Sequence, residues 1–236
     1  MEVMNVLALD TCLGAVSAAV RWRGRDGWLL RDAYEWVSRG HAERLMPMIA
    51  EVMEGAGLEF SALDRIAVTV GPGGFSSVRV GISAARALAL ATSKPVVATT
   101  SLAVMAHRAE EMLGEPPGAR RIMVAFNAGR GEHYVQSFTA GAVATGTPLL
   151  LTTEEAARSV GPHGTIVVGT GALVVADMVK KAGGDAEPRF PDLQPHARNL
   201  AVMAAGLAPV APVSPLYLRP PDARPSDAAP SSRTPS

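Results

Sequence analysis

Asp10 and Thr11, closing the apolar run Val3–Leu9, and the small-residue run Gly71-Pro72-Gly73-Gly74-Phe75-Ser76-Ser77 come nearest to chemistry by type and spacing. A carboxylate at a strand end suits a cation. A glycine turn leading into a helix lets backbone approach a ligand closely and aims unpaired helix N–H groups at an anion. Asp10, Thr11, Gly71, Gly73 and Gly74 would thus form a nucleotide cradle, with Mg²⁺ on the carboxylate and phosphates on the loop. The lysine of a nucleotide-hydrolysing P-loop is missing, because Ser76, Ser77 and Val78 follow the last glycine. The remaining candidates stand alone. His41 has Leu45 at i+4, so a cap or solvent-facing role is expected rather than metal ligation. His107, His133, His163 and His196 have no ligand spacing. Ser76 and Ser77 lack a nucleophile elbow, and helix capping accounts for either. Arg130 and Glu132 flank a turn and read as a weak surface ion pair. No nucleophile has a positioned base, and no cofactor or metal is expected.

The elements that must carry these residues follow from the hydrophobic pattern. Val3–Leu9, Ala15–Trp22 and Trp28–Val37 read as three strands, antiparallel because their connections are short. A helix runs from His41 to Ala56, closed by Gly57. The strand Ile66–Val70, a helix Ser76–Thr92, the strand Val96–Thr99 and a helix Ser101–Leu113 follow. Gly114-Glu115-Pro116-Pro117-Gly118 reads as a hinge. Beyond it come strands Ile122–Phe126, Glu132–Thr139 and Thr165–Val168, with helices over Thr152–Val160, Ala172–Ala182 and His196–Leu207. This order predicts an α/β protein of two related lobes, 1–114 and 119–219. Proline is dense after Pro209, and 220–236 reads as a disordered tail.

Two helices carry more apolar surface than one core requires. From His41, Leu45, Met48, Ile49 and Val52 make a stripe that Met46, Ala50 and Met53 widen to roughly 200°, about twice the usual core-facing arc. In the helix after the glycine loop, Val80, Gly81, Ala84, Ala87 and Ala91 belong to an almost continuous apolar surface broken by Arg79, Ser83 and Arg86. Small residues there admit another helix at close range. We expect Leu45, Met46, Ile49, Ala50, Met53, Val80, Gly81, Ala84, Ala87 and Ala91 to form a partner interface. A central helix buried within one chain is the alternative.

Composition narrows the partners. The 236 residues are 48% hydrophobic and 19% charged, and 22 basic residues balance 22 acidic ones. A freestanding nucleic-acid binder usually carries a basic surplus. Cys12 is the single cysteine, which excludes an intrachain disulfide. The first residues do not read as a signal peptide, and Arg86 and Lys94 interrupt the longest apolar run. A cytoplasmic location without membrane contact is expected.

Several segments together resemble one family. VLALDTC (Val6–Cys12), HAERLMP (His41–Pro47), GPGGFSSVRVGISAARALALA (Gly71–Ala91), KPVVATTSL, GRGEHY and PLYLRPPDA are similar to the bacterial TsaB, or YeaZ, family over about Val3–Ala223. The resemblance implies the two-lobe fold of actin, sugar kinases and Hsp70 (ASKHA, ribonuclease H-like). It also implies a non-catalytic scaffold role in making threonylcarbamoyladenosine in tRNA. The expected partners are a TsaD-like catalytic subunit and a TsaE-like ATPase. A homodimer is expected when the chain is alone, with tRNA reached only through the complex. TsaD carries a metal-binding His-x-x-x-His, and Ser101 and Met105 occupy those places here. The family's usual GPGSFTGLR is GPGGFSSVR in this chain, and its Asp-Ala-Arg is Asn127-Ala128-Gly129. On this reading Asp10, Thr11, Gly71, Gly73 and Gly74 are a vestigial nucleotide site. The alternative is an ASKHA-type ATPase or phosphotransferase, or a glycoprotease-like peptidase.

Overall fold

The computed structural model describes residues 4–114, 120–161 and 164–219. Most of the expected hinge, His163 and the tail 220–236 lie outside the described residues. The first sheet has five strands in the order β3-β2-β1-β4-β5. These are β1 (Val6–Asp10), β2 (Ala15–Arg23), β3 (Trp28–Trp36), β4 (Arg65–Thr69) and β5 (Val96–Thr99). β1, β2 and β3 pair antiparallel, as their short connections require, whereas β4 and β5 join parallel to β1. β1 is buried at every residue because it is central and both faces are covered.

Alternation along these strands divides the core. Leu7, Leu9, Val16, Ala18 and Val20 pack with α1 (His41–Ala56) and α2 (Phe75–Thr92) on one face. Val6, Ala8 and Ala19 pack with α6 (Ala197–Met203) on the other. α3 (Ser101–Leu113) packs against α6 and against the second sheet. That sheet has the order β11-β10-β6-β7-β8, with β9 also on β7. Its strands are β6 (Arg121–Gly129), β7 (Glu132–Thr139), β8 (Val143–Ala144), β9 (Leu149–Thr152), β10 (Thr165–Val168) and β11 (Ala186–Arg189). α4 (Thr153–Arg158) and α5 (Ala172–Lys181) complete this half.

Local chemistry explains most boundaries. Gly57 ends α1 in the left-handed region, φ 63°, where glycine carries no penalty. Thr152 and Glu155 form a reciprocal capping box at the start of α4. Three strands differ from expectation. β8 has two residues, β9 follows Pro148, and β11 contains Pro188 on an edge where its missing N–H is harmless. The last helix is also shorter than expected, tightening into a 3₁₀ turn at Ala204–Gly206.

The structure corrects part of the interface expectation. Leu45, Ile49 and Met53 are at most 2% exposed, beneath α1 against the first sheet. Gly81 is buried because α2 approaches β1 so closely that a Cβ there would lie 2.7 Å from the Thr11 hydroxyl. Five of the seven residues of the wide apolar arc of α1, Leu45, Met48, Ile49, Val52 and Met53, thus serve the protein's own core. Met46, by contrast, is 49% exposed. Truncating Ile49 to alanine should cost about 2–5 kcal/mol in urea unfolding, and Met46→Ala less than about 0.5 kcal/mol. Equal costs would contradict this division of the helix.

Candidate functional site

The glycine run is held by the protein itself. The Gly71 carbonyl accepts the Ser101 N–H (2.8 Å), and the Ser101 hydroxyl donates to the Pro72 carbonyl (2.7 Å). Gly73 lies against the Cys12 carbonyl, where a Cβ would come within 2.0 Å of the oxygen. The Gly74 N–H donates to the same oxygen at 2.9 Å. Thr11 donates its hydroxyl to the Ser77 carbonyl (2.6 Å) and accepts the Gly81 N–H (3.1 Å). The Gly74 amide and the Thr11 hydroxyl are therefore engaged internally. Neither Ser76 nor Ser77 caps α2. Gly74 is the N-cap with no side-chain bond, and the Ser77 hydroxyl donates to the Gly74 carbonyl at 3.1 Å.

Asp10 closes β1 behind the loop. It is fully buried, and its Oδ1 accepts the Thr69 hydroxyl at 2.5 Å. Thr69 in turn accepts from Cys12 Sγ at 3.1 Å, while Asp10 Oδ2 has no partner. Burial pushes the Asp10 carboxyl up to about 6, against the opposing pull of the Thr69 and Cys12 hydrogen bonds. Burial, followed by the nearby Asp10 charge, raises the Cys12 thiol as well.

A cleft of about 1080 Å³ opens beside the loop, between Gly73–Ser77, the start of α1 and Phe126–Ala128 of the second sheet. Leu216–Arg219 also line it. Tyr217 stacks on Phe75 with centroids 5.2 Å apart, and the Arg79 guanidinium sits 3.6 Å from the Phe75 centroid. Arg219 pairs with Glu132 at 2.5 Å and donates to the Ala128 carbonyl at 3.0 Å. The segment therefore crosses from the first sheet to the second. Glu132 thus pairs with Arg219, a residue 87 positions away that turn chemistry could not reveal.

The histidines are dispersed. His41 lies 3.0 Å from the Leu13 carbonyl through Nε2 and anchors the β1–β2 turn rather than facing solvent alone. His133 Nε2 meets the Thr153 hydroxyl at 3.0 Å, and burial lowers its pKa. His196 caps α6, stacks on Tyr34, and is pushed down to about 4 by burial despite Asp32. His107 lies beside Asn199. Among the described residues no group of three ligand-type side chains could hold a metal, and no helix is long and apolar enough to cross a membrane.

The outer flanks of α1 and α2 form a second candidate. Met46, Ala50, Ala87 and Ala91 are exposed, Val80 and Ala84 are half-buried, and the two helices touch. Leu90, not among the expected contacts, is 83% exposed further along α2. Its sequence signal was present, since it lies in the same apolar helix.

Two sheets flanked by helices, the first with an antiparallel β3-β2-β1 half and a parallel β1-β4-β5 half, define an α/β protein built on two sheets. The family model TsaD: tRNA N6-adenosine threonylcarbamoyltransferase matches residues 35–162. A curated TsaB of Haemophilus influenzae is 34% identical over 134 residues, 57% of this chain and 53% of the relative. The matched stretch thus spans about half the length of the curated TsaB relatives. An uncharacterized Mycobacterium tuberculosis H37Rv protein is 30% identical over 223 residues, 94% of this chain and 95% of the relative. The solved YeaZ from Pseudomonas aeruginosa is 31% identical with a TM-score of 0.77, covering 91% of this chain and 100% of that one. The chain belongs to the TsaB/YeaZ family.

Asp10 makes stability depend on pH with a definite sign. Its carboxyl titrates near 3.8 unfolded and about 6 folded. The contribution is therefore complete below about pH 4 and lost as pH rises through about 6. Asp10→Asn should gain stability relative to the parent between pH 4 and pH 7, by up to about 3 kcal/mol. Urea titrations at both pH values check this, and an identical difference at the two would refute it.

Proposed function

We propose that this chain is a non-catalytic scaffold subunit of a tRNA threonylcarbamoyladenosine-forming system in the cytoplasm. It pairs with a TsaD-like transferase and helps recruit a TsaE-like ATPase, and tRNA is reached through that complex. The observation that carries the reading is an apolar strip, exposed at Met46, Ala50, Ala87 and Ala91 and half-buried at Val80 and Ala84, above a core already filled by Leu45, Ile49 and Met53. Small side chains let a partner helix approach closely, and contiguous exposed apolar surface favours association. The names of the TsaB relatives supply the pathway. Ser101 and Met105 fit a non-catalytic role. The resemblance puts the transferase's metal histidines at these positions, yet here one hydroxyl bonds the Pro72 carbonyl and the thioether is buried. Without the transferase, the strip closes on a second copy by two-fold symmetry.

Ala87→Arg and Met46→Glu, both at exposed positions, test the strip without touching the core. Each should weaken capture of the TsaD-like subunit by at least about tenfold while the circular dichroism and melting temperature stay parental. Cells lacking the chromosomal copy should lose threonylcarbamoyladenosine from digested tRNA, measured by mass spectrometry, and the parent chain should restore it. Folded variants that bind and complement fully would remove the interface, and unchanged nucleoside in the deletion strain would remove the function.

A further inference from the structure

β3 closes one end of the first sheet, and its nine residues keep an unbroken antiparallel register with β2, from Arg23↔Trp28 to Ala15↔Trp36. The opposite end is covered. Pro209 bridges Val97, and the Val210 N–H donates to the Val96 carbonyl at 2.9 Å. On the outer side of β3 no strand pairs among the described residues. The Val37 N–H donates inward to Gly14, 3.1 Å away, extending the β2 ladder. Peptide groups of successive residues point to opposite edges. Trp28, Leu30, Asp32, Tyr34 and Trp36 therefore direct their N–H and C=O groups outward. Proteins commonly blunt such an edge with proline, a bulge or a covering segment. β3 has no proline and no register shift, and it leaves Leu29 49% and Trp36 57% exposed.

We propose that β3 pairs antiparallel with β3 of a second copy of this chain about a two-fold axis at Ala33. The surface is separate from the α1/α2 strip, and the inference does not rest on the function proposed above. An axis perpendicular to the sheet brings residues of the same face opposite each other, so the axis must fall on a residue. At Ala33 it sets Arg31 against Glu35 twice, Leu29 against Val37, Leu30 against Trp36 and Asp32 against Tyr34. Neighbouring registers are worse. An axis at Asp32 opposes the two Asp32 carboxylates, one at Arg31 opposes two guanidinium groups, and one at Tyr34 leaves Arg31 on Val37. Opposite charges facing across a ladder stabilise it, and like charges destabilise it. Arg31 is exposed and has no carboxylate partner among the described residues. Glu35 holds Arg44 through Oε2 at 2.5 Å and makes no hydrogen bond through Oε1 among the described residues.

Ala33→Cys tests the register in the full-length chain. At the axis the two copies of residue 33 form a non-hydrogen-bonded pair with Cα atoms about 4.5 Å apart, within reach of a disulfide. The native Cys12 is buried and does not compete. Under mild oxidation, A33C should yield a disulfide-linked dimer on non-reducing gels, and a control cysteine at exposed Ser61 should not. Adding Arg31→Glu should cut the cross-linked fraction by about fivefold or more, and Arg31→Glu with Glu35→Arg should restore it. The same charge pair followed by sedimentation in an Ala87→Arg background, with residue 33 unchanged, gives a second readout. Loss in the single variant and recovery in the swap support the edge. A folded A33C with a titratable thiol and no dimer overturns it, as does a sedimentation profile that ignores the charge swap.

Discussion

The close approach of α2 to the end of β1 is the contact on which the arrangement of this protein depends. Gly73 and Gly81 each occupy a place where a side-chain carbon would collide, one with the Cys12 carbonyl and the other with the Thr11 hydroxyl. Thr11 uses that proximity twice, donating to Ser77 and accepting from Gly81. The bonds satisfy polar groups that the short separation would otherwise strip of water. They also set the height of α2 above the sheet. That height decides which residues of α2 are core and which remain outside. Val78, Ile82 and Ala85 face inward, while Ala87 and Ala91 are left on the surface.

The same contact changes what the glycine loop can do. In a phosphate cradle the amides of such a loop point to open space. Here the Gly74 amide closes onto the Cys12 carbonyl, and the Ser101 hydroxyl ties Pro72 to the start of α3. The loop reads as a packing device that joins β1, α2 and α3. Asp10 lies behind it without access to the cleft lining, bonded to Thr69 and raised by burial. A carboxylate in that position costs stability at neutral pH.

Much of the fold was legible because its signals are local. Apolar runs of strand length, Gly57 at a helix end and the Thr152–Glu155 capping box each mark an element by a short-range rule. The strands that escaped notice lack such signals. β8 is two residues long, and β11 carries a proline and two charged residues. At the candidate sites the limit was different. Helical spacing identified an excess of apolar surface on α1 and α2, but spacing alone does not say which part of a wide arc meets the sheet. Leu45, Ile49 and Met53 proved internal, and Met46 and Ala50 external, because the direction of α1 over β2 and β3 is a tertiary fact. The Arg219–Glu132 pair was unreadable for the same reason, since its partners meet only after the chain has built both sheets.

α1 connects the two surfaces for which partners are proposed. One flank presents Met46 and Ala50 beside α2, and the other reaches β3 through the Arg44–Glu35 ion pair. With side chains 50% and 40% exposed, that pair is worth little as an isolated bridge. A second copy paired along β3 would bring Arg31 to the same carboxylate, so Glu35 would hold cations from two directions in a less hydrated setting. Such an arrangement gains from the arginine geometry, because one carboxylate offers two oxygens and α1 occupies one. It also leaves the outer flank of α1 unobstructed, since the strand pairing lies in the plane of the sheet and the helix strip lies above it. The two associations are therefore compatible in geometry, and a chain using both would link helix-face pairs through its sheet edges.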